Sequence, residues 1–182
     1  MPETWVTEIL QFWFDEIAPE AWFRRDDAFD QRLCERFLDR HEQIAAKSLA
    51  QCASDAPTAL AAVIALDQFP RNMFRGTPRA FASDTKAREI AEQAIQRGFD
   101  GALSKDQRTF LYLPLEHAED PVAQARSVEL IAKLGDAQLT RYAEEHKAII
   151  DRFGRFPHRN AILGRSSTPD EIAFLAEPGN SF

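Results

Sequence analysis

The stretch "DAQLTRYAEEHKAIIDRFG", residues 136–154, carries every signal of one helix in nineteen positions. Asp136 stands where a side-chain oxygen can accept from the first backbone N–H groups of a helix. Leu139, Tyr142, Ala143, Ile149, Ile150 and Phe153 recur three and four residues apart, which predicts a single apolar stripe. Gly154 supplies the stop, because glycine takes the left-handed conformation that closes a helix at no steric cost.

Similar signals cover most of the chain. Asp120-Pro121 reads as an N-cap followed by proline at the first helical position, with Gly135 ending that helix. "SKDQ" (Ser104 to Gln107) is a capping-box pattern opening a helix that reaches Pro114, and "TPDE" (Thr168 to Glu171) is a second one. Thr4 is a candidate cap for a face of Trp5, Ile9, Phe12 and Trp13. Phe29, Leu33 and Phe37 repeat every fourth residue. Ser83 is expected to cap a helix with the stripe Ala87, Ile90, Ala91, Ala94 and Ile95, ended by Gly98. "APTALAAVIAL" (Ala56 to Leu66) is apolar nearly all round, as a central buried helix is. No alternating β-branched run lies between turn signals. The reading is all-α, one domain over residues 1–182, built of neighbouring antiparallel helices joined by short loops.

The totals narrow the function classes. The 182-residue chain is long enough for a real core, and its net charge of −7 argues against extended nucleic acid as a partner. The apolar 56–66 run is too short to cross a bilayer, and the N-terminus lacks the basic start and apolar core of a secretory signal. A soluble cytoplasmic protein with no membrane partner is expected. Cys34 and Cys52 sit in helical contexts as reduced thiols.

Immediately after residue 154 comes "RFPHRN", and the earlier string "LDQFPRNMFRG" (Leu66 to Gly76) repeats its Phe-Pro and Arg-Asn. Positive charge concentrates in these two places: Asp67 to Arg88 and His146 to Asp170 each hold five basic and two acidic residues. Pro70 and Pro157 are expected to break helix there, because proline removes a backbone donor and disfavours helix in the residue before it. Arginine offers a planar fork that matches carboxylate or phosphate. The candidate ligand-binding residues are therefore Arg71, Asn72, Arg75, Asp84, Arg155, Arg159, Asn160 and Arg165, lining one pocket for a small anionic ligand. The bland alternative is that these arginines pair with the many Asp and Glu residues, and that Asn72 and Asn160 hold turns. His117, His146, His158 and Glu116 are candidates for acid–base work. His146 falls on the stripe between Tyr142 and Ile150 and is expected to be buried and hydrogen-bonded. Glu116, His117 and Glu119 lie close together, but no paired-histidine or paired-cysteine spacing accompanies them, so neither metal nor cofactor is expected.

Taken together, "LDQFPRNMFRG", "AFASD" (Ala80 to Asp84), "FLYLPLEHAED" (Phe110 to Asp120), "HKAIIDRFGRFPHRNAILGR" (His146 to Arg165) and "STPDE" resemble the bacterial DUF924 family over nearly the whole chain. The resemblance implies a tetratricopeptide-like α-helical fold. It implies no catalytic role, since the family has no assigned function. The ordinary tetratricopeptide consensus is not visible, so a protein or peptide partner stands as the alternative to a small ligand rather than as a consequence of the fold.

Overall fold

The computed structural model describes residues 3–177, and among these residues every regular element is helical. The chain divides into two compact units. The first runs to Arg75 and again from Arg79 to Pro114, and the second takes Gly76–Pro78 and the chain from Leu115 onward.

The first unit holds α1 (Thr4–Gln11), α2 (Asp27–Ala46), α3 (Leu49–Cys52), α4 (Ala56–Val63), α5 (Phe69–Met73) and α6 (Asp84–Gln96). α7 (Lys105–Glu116) follows, its last two residues belonging to the second unit. α4 is the buried centre that its composition predicts, and it packs against α1 and α6. Every residue from Ala59 to Leu66 is fully buried, as is Phe69. Phe12, Phe37, Phe69, Trp13 and Phe110 pack on one another edge to face or tilted.

The second unit holds α8 (Pro121–Ala132), α9 (Ala137–Phe153) and α10 (Pro169–Ala176). α8 and α9 pack along each other, joined by the short turn that ends at Asp136. Ile149 and Ile150 of the opening stretch bury against Phe156 and Phe174, with Phe153 and Leu175 packed at the edge. The Asp120, Asp136 and Thr168 caps form as read, and Gly154 takes φ 71° at the end of α9. Burying a side chain of this size contributes roughly 1.5–3 kcal/mol, so this small cluster anchors the loop from Gly154 to Arg165.

Several local expectations are corrected. Glu3, not Thr4, precedes α1, and its carboxylate accepts from the Trp5 indole at 2.5 Å. Tyr142 lies at the margin of its stripe, 39% exposed. α7 runs through Pro114 to Glu116 instead of stopping at the proline. Pro70 does not break its helix either. α4 continues through a π-helical turn (Ile64–Gln68) directly into α5, with Pro70 inside the continuous rod. Ser83 precedes α6, but its hydroxyl makes no capping bond.

Candidate functional site

The first Phe-Pro string explains why the helix survives its proline. Phe69 N–H reaches back five residues to the Ile64 carbonyl. Pro70 has no N–H, so it can serve neither the Leu66 carbonyl in α register nor the Ala65 carbonyl in π register. Buried carbonyls need donors. The His41 ring nitrogen Nδ1 lies 2.8 Å from Ala65 O, and since a carbonyl only accepts, that nitrogen carries the proton. The Ser83 hydroxyl donates to Leu66 O at 2.6 Å, which is where its capping capacity goes. Arg71 Nη1 donates to Asp67 O at 2.6 Å, and Asn72 Nδ2 to Gln68 O at 3.2 Å. Four successive carbonyls thus receive four side-chain donors.

The arginines of this string also hold carboxylates. Arg71 forks onto Asp84 at 2.9 and 3.0 Å and reaches the fully buried Asp67 at 3.2 Å. Burial opposes its charge, but the Asp67 and Asp84 carboxylates outweigh that and raise the guanidinium pKa further. Arg75 forks onto Asp30 at 2.8 and 3.1 Å and donates to Asn72 Oδ1 at 3.0 Å.

The second string builds a tighter network. Arg155 forks onto the buried Glu171 at 2.7 and 2.9 Å. The same carboxylate accepts from Thr168 N–H at 2.7 Å and from Asn160 Nδ2 at 3.2 Å. With Arg155 as the main cause, the Glu171 pKa falls to about 2. Asn160, buried, accepts from Arg165 Nε at 3.0 Å. Arg165 in turn forks onto Glu119 at 2.6 and 2.9 Å. Burial pushes the Glu119 carboxyl up, yet the bonds from Arg165 and from Phe156 N–H outweigh it and the pKa ends below its ordinary value.

Around the buried Phe156 ring a different group collects. The His146 ring lies edge-on at 5.7 Å, His158 tilted at 5.6 Å, and the Arg159 guanidinium over the ring at 4.6 Å. Arg159 is 7% exposed and donates to His117 O at 3.0 Å. The His117 ring stands 6.4 Å from that of His146. His146 Nδ1 lies 2.8 Å from Tyr142 O and 3.3 Å from the buried Glu116 carboxylate. The carbonyl again requires Nδ1–H, which leaves Nε2 as the acceptor of the neutral ring. His146 is therefore hydrogen-bonded as expected, with its side chain 13% exposed.

Of the sequence candidates, Arg155, Arg159, Asn160, Arg165, Glu116, His117, His146 and His158 lie in the second unit. Arg71, Asn72, Arg75 and Asp84 lie in the first. Sequence reasoning passed over Glu119, Glu171, Asp67, His41 and Ser83 as partners. For Glu119, Glu171 and Ser83 the signal available was their place within a turn of a helix boundary, whereas Asp67 and His41 lie inside helical stretches that carry no such mark. Among the described residues no group of three or more His, Cys, Asp or Glu side chains is arranged to hold a metal ion, and no helix is long and apolar enough to cross a membrane. Cys34 and Cys52 are free thiols.

A helical scaffold whose two Phe-Pro strings knit arginine to carboxylate is thus the frame. The chain belongs to DUF924, a family of bacterial proteins of unknown function, whose pattern matches residues 9–179. It is similar to the solved structure of a protein of unknown function from Agrobacterium tumefaciens. The two share 46% identity and a TM-score of 0.89, over 94% of this chain and 96% of that one. No curated protein matches it.

Proposed function

We propose that the second unit binds a small phosphate- or carboxylate-bearing ligand beside the Phe156 ring, with Arg159 as its cationic partner and His117, His146 and His158 as hydrogen-bonding or proton-handling groups. The observation that carries this reading is the gathering of two imidazoles and a buried guanidinium around one ring, with a third imidazole next to them. Arg71, Arg75, Arg155 and Arg165 hold carboxylates in bidentate bonds and set the frame, while Arg159 brings its guanidinium to the Phe156 ring beside the histidines. Glu116 beside His146 Nδ1 fixes the tautomer and steadies the ring when Nε2 takes a proton, the arrangement a general base needs.

The test is titration with inorganic phosphate and with acetate, followed by the imidazole NMR signals of the three histidines. Those signals move saturably, and binding weakens as salt rises because the attraction is partly Coulombic. Arg159→Met removes the effect while Arg155→Lys leaves it. Histidine signals indifferent to both anions overturn the reading.

The second reading is the tetratricopeptide-like interaction module. The α8–α9 pair favours it, since two helices joined by a short turn are the repeating piece of such arrays. An acidic peptide would then bind without competition from phosphate.

A further inference from the structure

A cleft of about 410 Å³ opens in the first unit where α1 ends, and it carries a feature that neither Phe-Pro string has. Its residues come from the end of α1, the following loop and the start of α2. α1 finishes in a π-helical turn (Phe12–Glu16), a wider turn often found where a helix serves a site. Phe12 from that turn and Phe29 from α2 stack, centroids 6.2 Å apart and planes 8° apart. Phe12 is buried with the Arg36 guanidinium over its ring at 4.8 Å, so the half-buried Phe29 ring is the aromatic surface left to the cleft. Phe29, backed by Phe12, forms the aromatic wall of the cleft.

The charges around the wall divide into two sets. Glu16 is held by Arg36 through bonds of 2.6 and 3.1 Å. Asp26 caps α2, its carboxylate accepting from Ala28 and Phe29 N–H at 3.0 Å each. Both anions are committed to the protein. Arg24 and Arg32 are exposed, and neither makes an ion pair or side-chain hydrogen bond with any described residue. Both stand near one spot. The Asp26 carboxyl is held below its ordinary pKa chiefly by the Phe29 N–H, with both guanidiniums adding to the effect. An acidic chain here presents two uncommitted guanidiniums beside an aromatic wall, in a cleft within the size range of small-molecule sites.

We propose that this cleft binds a small molecule with one anionic group on a flat apolar body, the body lying against Phe29 and the anion between Arg24 and Arg32. Carboxylate or phosphate suits the guanidinium fork, and a flat ring suits the Phe29 phenyl. This site is separate from the one around Phe156, and its test does not depend on that reading.

The probe is naphthoate, with the uncharged naphthylmethanol as its control, titrated against the isotope-labelled protein by amide NMR. Naphthoate shifts the signals of residues 12–17 and 24–36 saturably. Arg24→Gln/Arg32→Gln lowers its affinity roughly tenfold or more, about what losing one charged hydrogen bond does. Arg24→Lys/Arg32→Lys keeps most of the affinity. Naphthylmethanol binds more weakly and is indifferent to both double variants. Unchanged amide signals elsewhere establish that the variants fold. No naphthoate binding, binding mapped only to other residues, or an affinity that the double glutamine variant leaves intact overturns the site.

Discussion

Arg165 and Glu119, 46 residues apart in the chain, close on the backbone of Phe156 from both sides. The Glu119 carboxylate accepts from Phe156 N–H at 2.8 Å, while Arg165 donates to Phe156 O at 3.2 Å. Between them run the two bonds of the fork, and each side chain is 25% exposed. The pair therefore serves the polar groups of a residue whose ring is fully buried in the core of the second unit.

Arg165→Ala leaves a half-buried carboxylate and a buried carbonyl with one donor fewer. The expected loss is about 2 kcal/mol, within the range for hydrogen bonds to charged groups. Glu119→Gln loses a similar amount. Because both act on Phe156, the double variant loses less than the sum. Urea unfolding of the four proteins measures this, and strict additivity would show that the clamp is two unrelated contacts.

What was legible in the chain was local. The stripe of α9, the Asp136 and Asp120 caps, the Thr168 box and the Gly154 stop are each written within one or two turns, so they could be read directly. Arg165 to Glu119 and Arg75 to Asp30 were not legible, because any of 29 carboxylates could have met those forks. Pro70 misled for a related reason. A proline ends a helix when its orphaned carbonyls find no donor, and here His41 and Ser83 supply donors from 24 and 17 residues away. Ser83 looked like a cap, yet the buried carbonyl takes its hydroxyl. For the site, residue types were readable but their division of labour was not. Arg71, Arg75, Arg155 and Arg165 bind carboxylates, and Arg159 lies over the Phe156 ring.

Glu171 makes stability depend on acid. Its folded pKa of about 2 lies below the ordinary 4.5, so the folded state holds the carboxylate ionised where the unfolded chain has begun to protonate it. That contribution is complete above the unfolded value and is lost as pH falls from there toward the folded one. Wild-type melting temperature should drop over that window. Glu171→Gln should be less stable near neutrality and flatter below it. Parallel acid slopes would assign the sensitivity to other carboxylates.

His41 acts in a higher window with the same sense. Burial is the largest cause lowering its pKa below 6.5, and the nearby Arg79 adds to it. The bond to Ala65 O works the other way without prevailing. The unfolded chain therefore takes up a proton near 6.5 that the folded state resists. Stability present at higher pH is lost as pH falls below that value. In His41→Gln an amide can still donate to Ala65 O, but nothing titrates. Denaturation midpoints compared between neutral and mildly acid pH should fall more in the wild type than in the variant, and an equal fall would mean that the ring charges as freely in the fold as outside it.

Pro70 and Ser83 should be energetically coupled. The proline withholds a donor from Leu66 O, and the Ser83 hydroxyl replaces it at 2.6 Å. Leu66 is fully buried, so Ser83→Ala removes a donor that its carbonyl cannot recover from solvent, an expected loss of about 1–2 kcal/mol. Pro70→Ala restores a backbone N–H at the position from which an α-helix supplies that carbonyl. In the Pro70→Ala background the π-helical turn is free to relax toward α register, and Ser83→Ala should then lose clearly less. A double-mutant cycle by chemical denaturation gives the coupling directly, expected at about 1 kcal/mol for two groups that serve one acceptor. Amide exchange adds a structural check, since the N–H that Pro70→Ala introduces should be strongly protected if it has taken over the carbonyl. A coupling near zero, with that new amide unprotected, would mean that the π turn is fixed by the packing of Phe69 rather than by the missing donor.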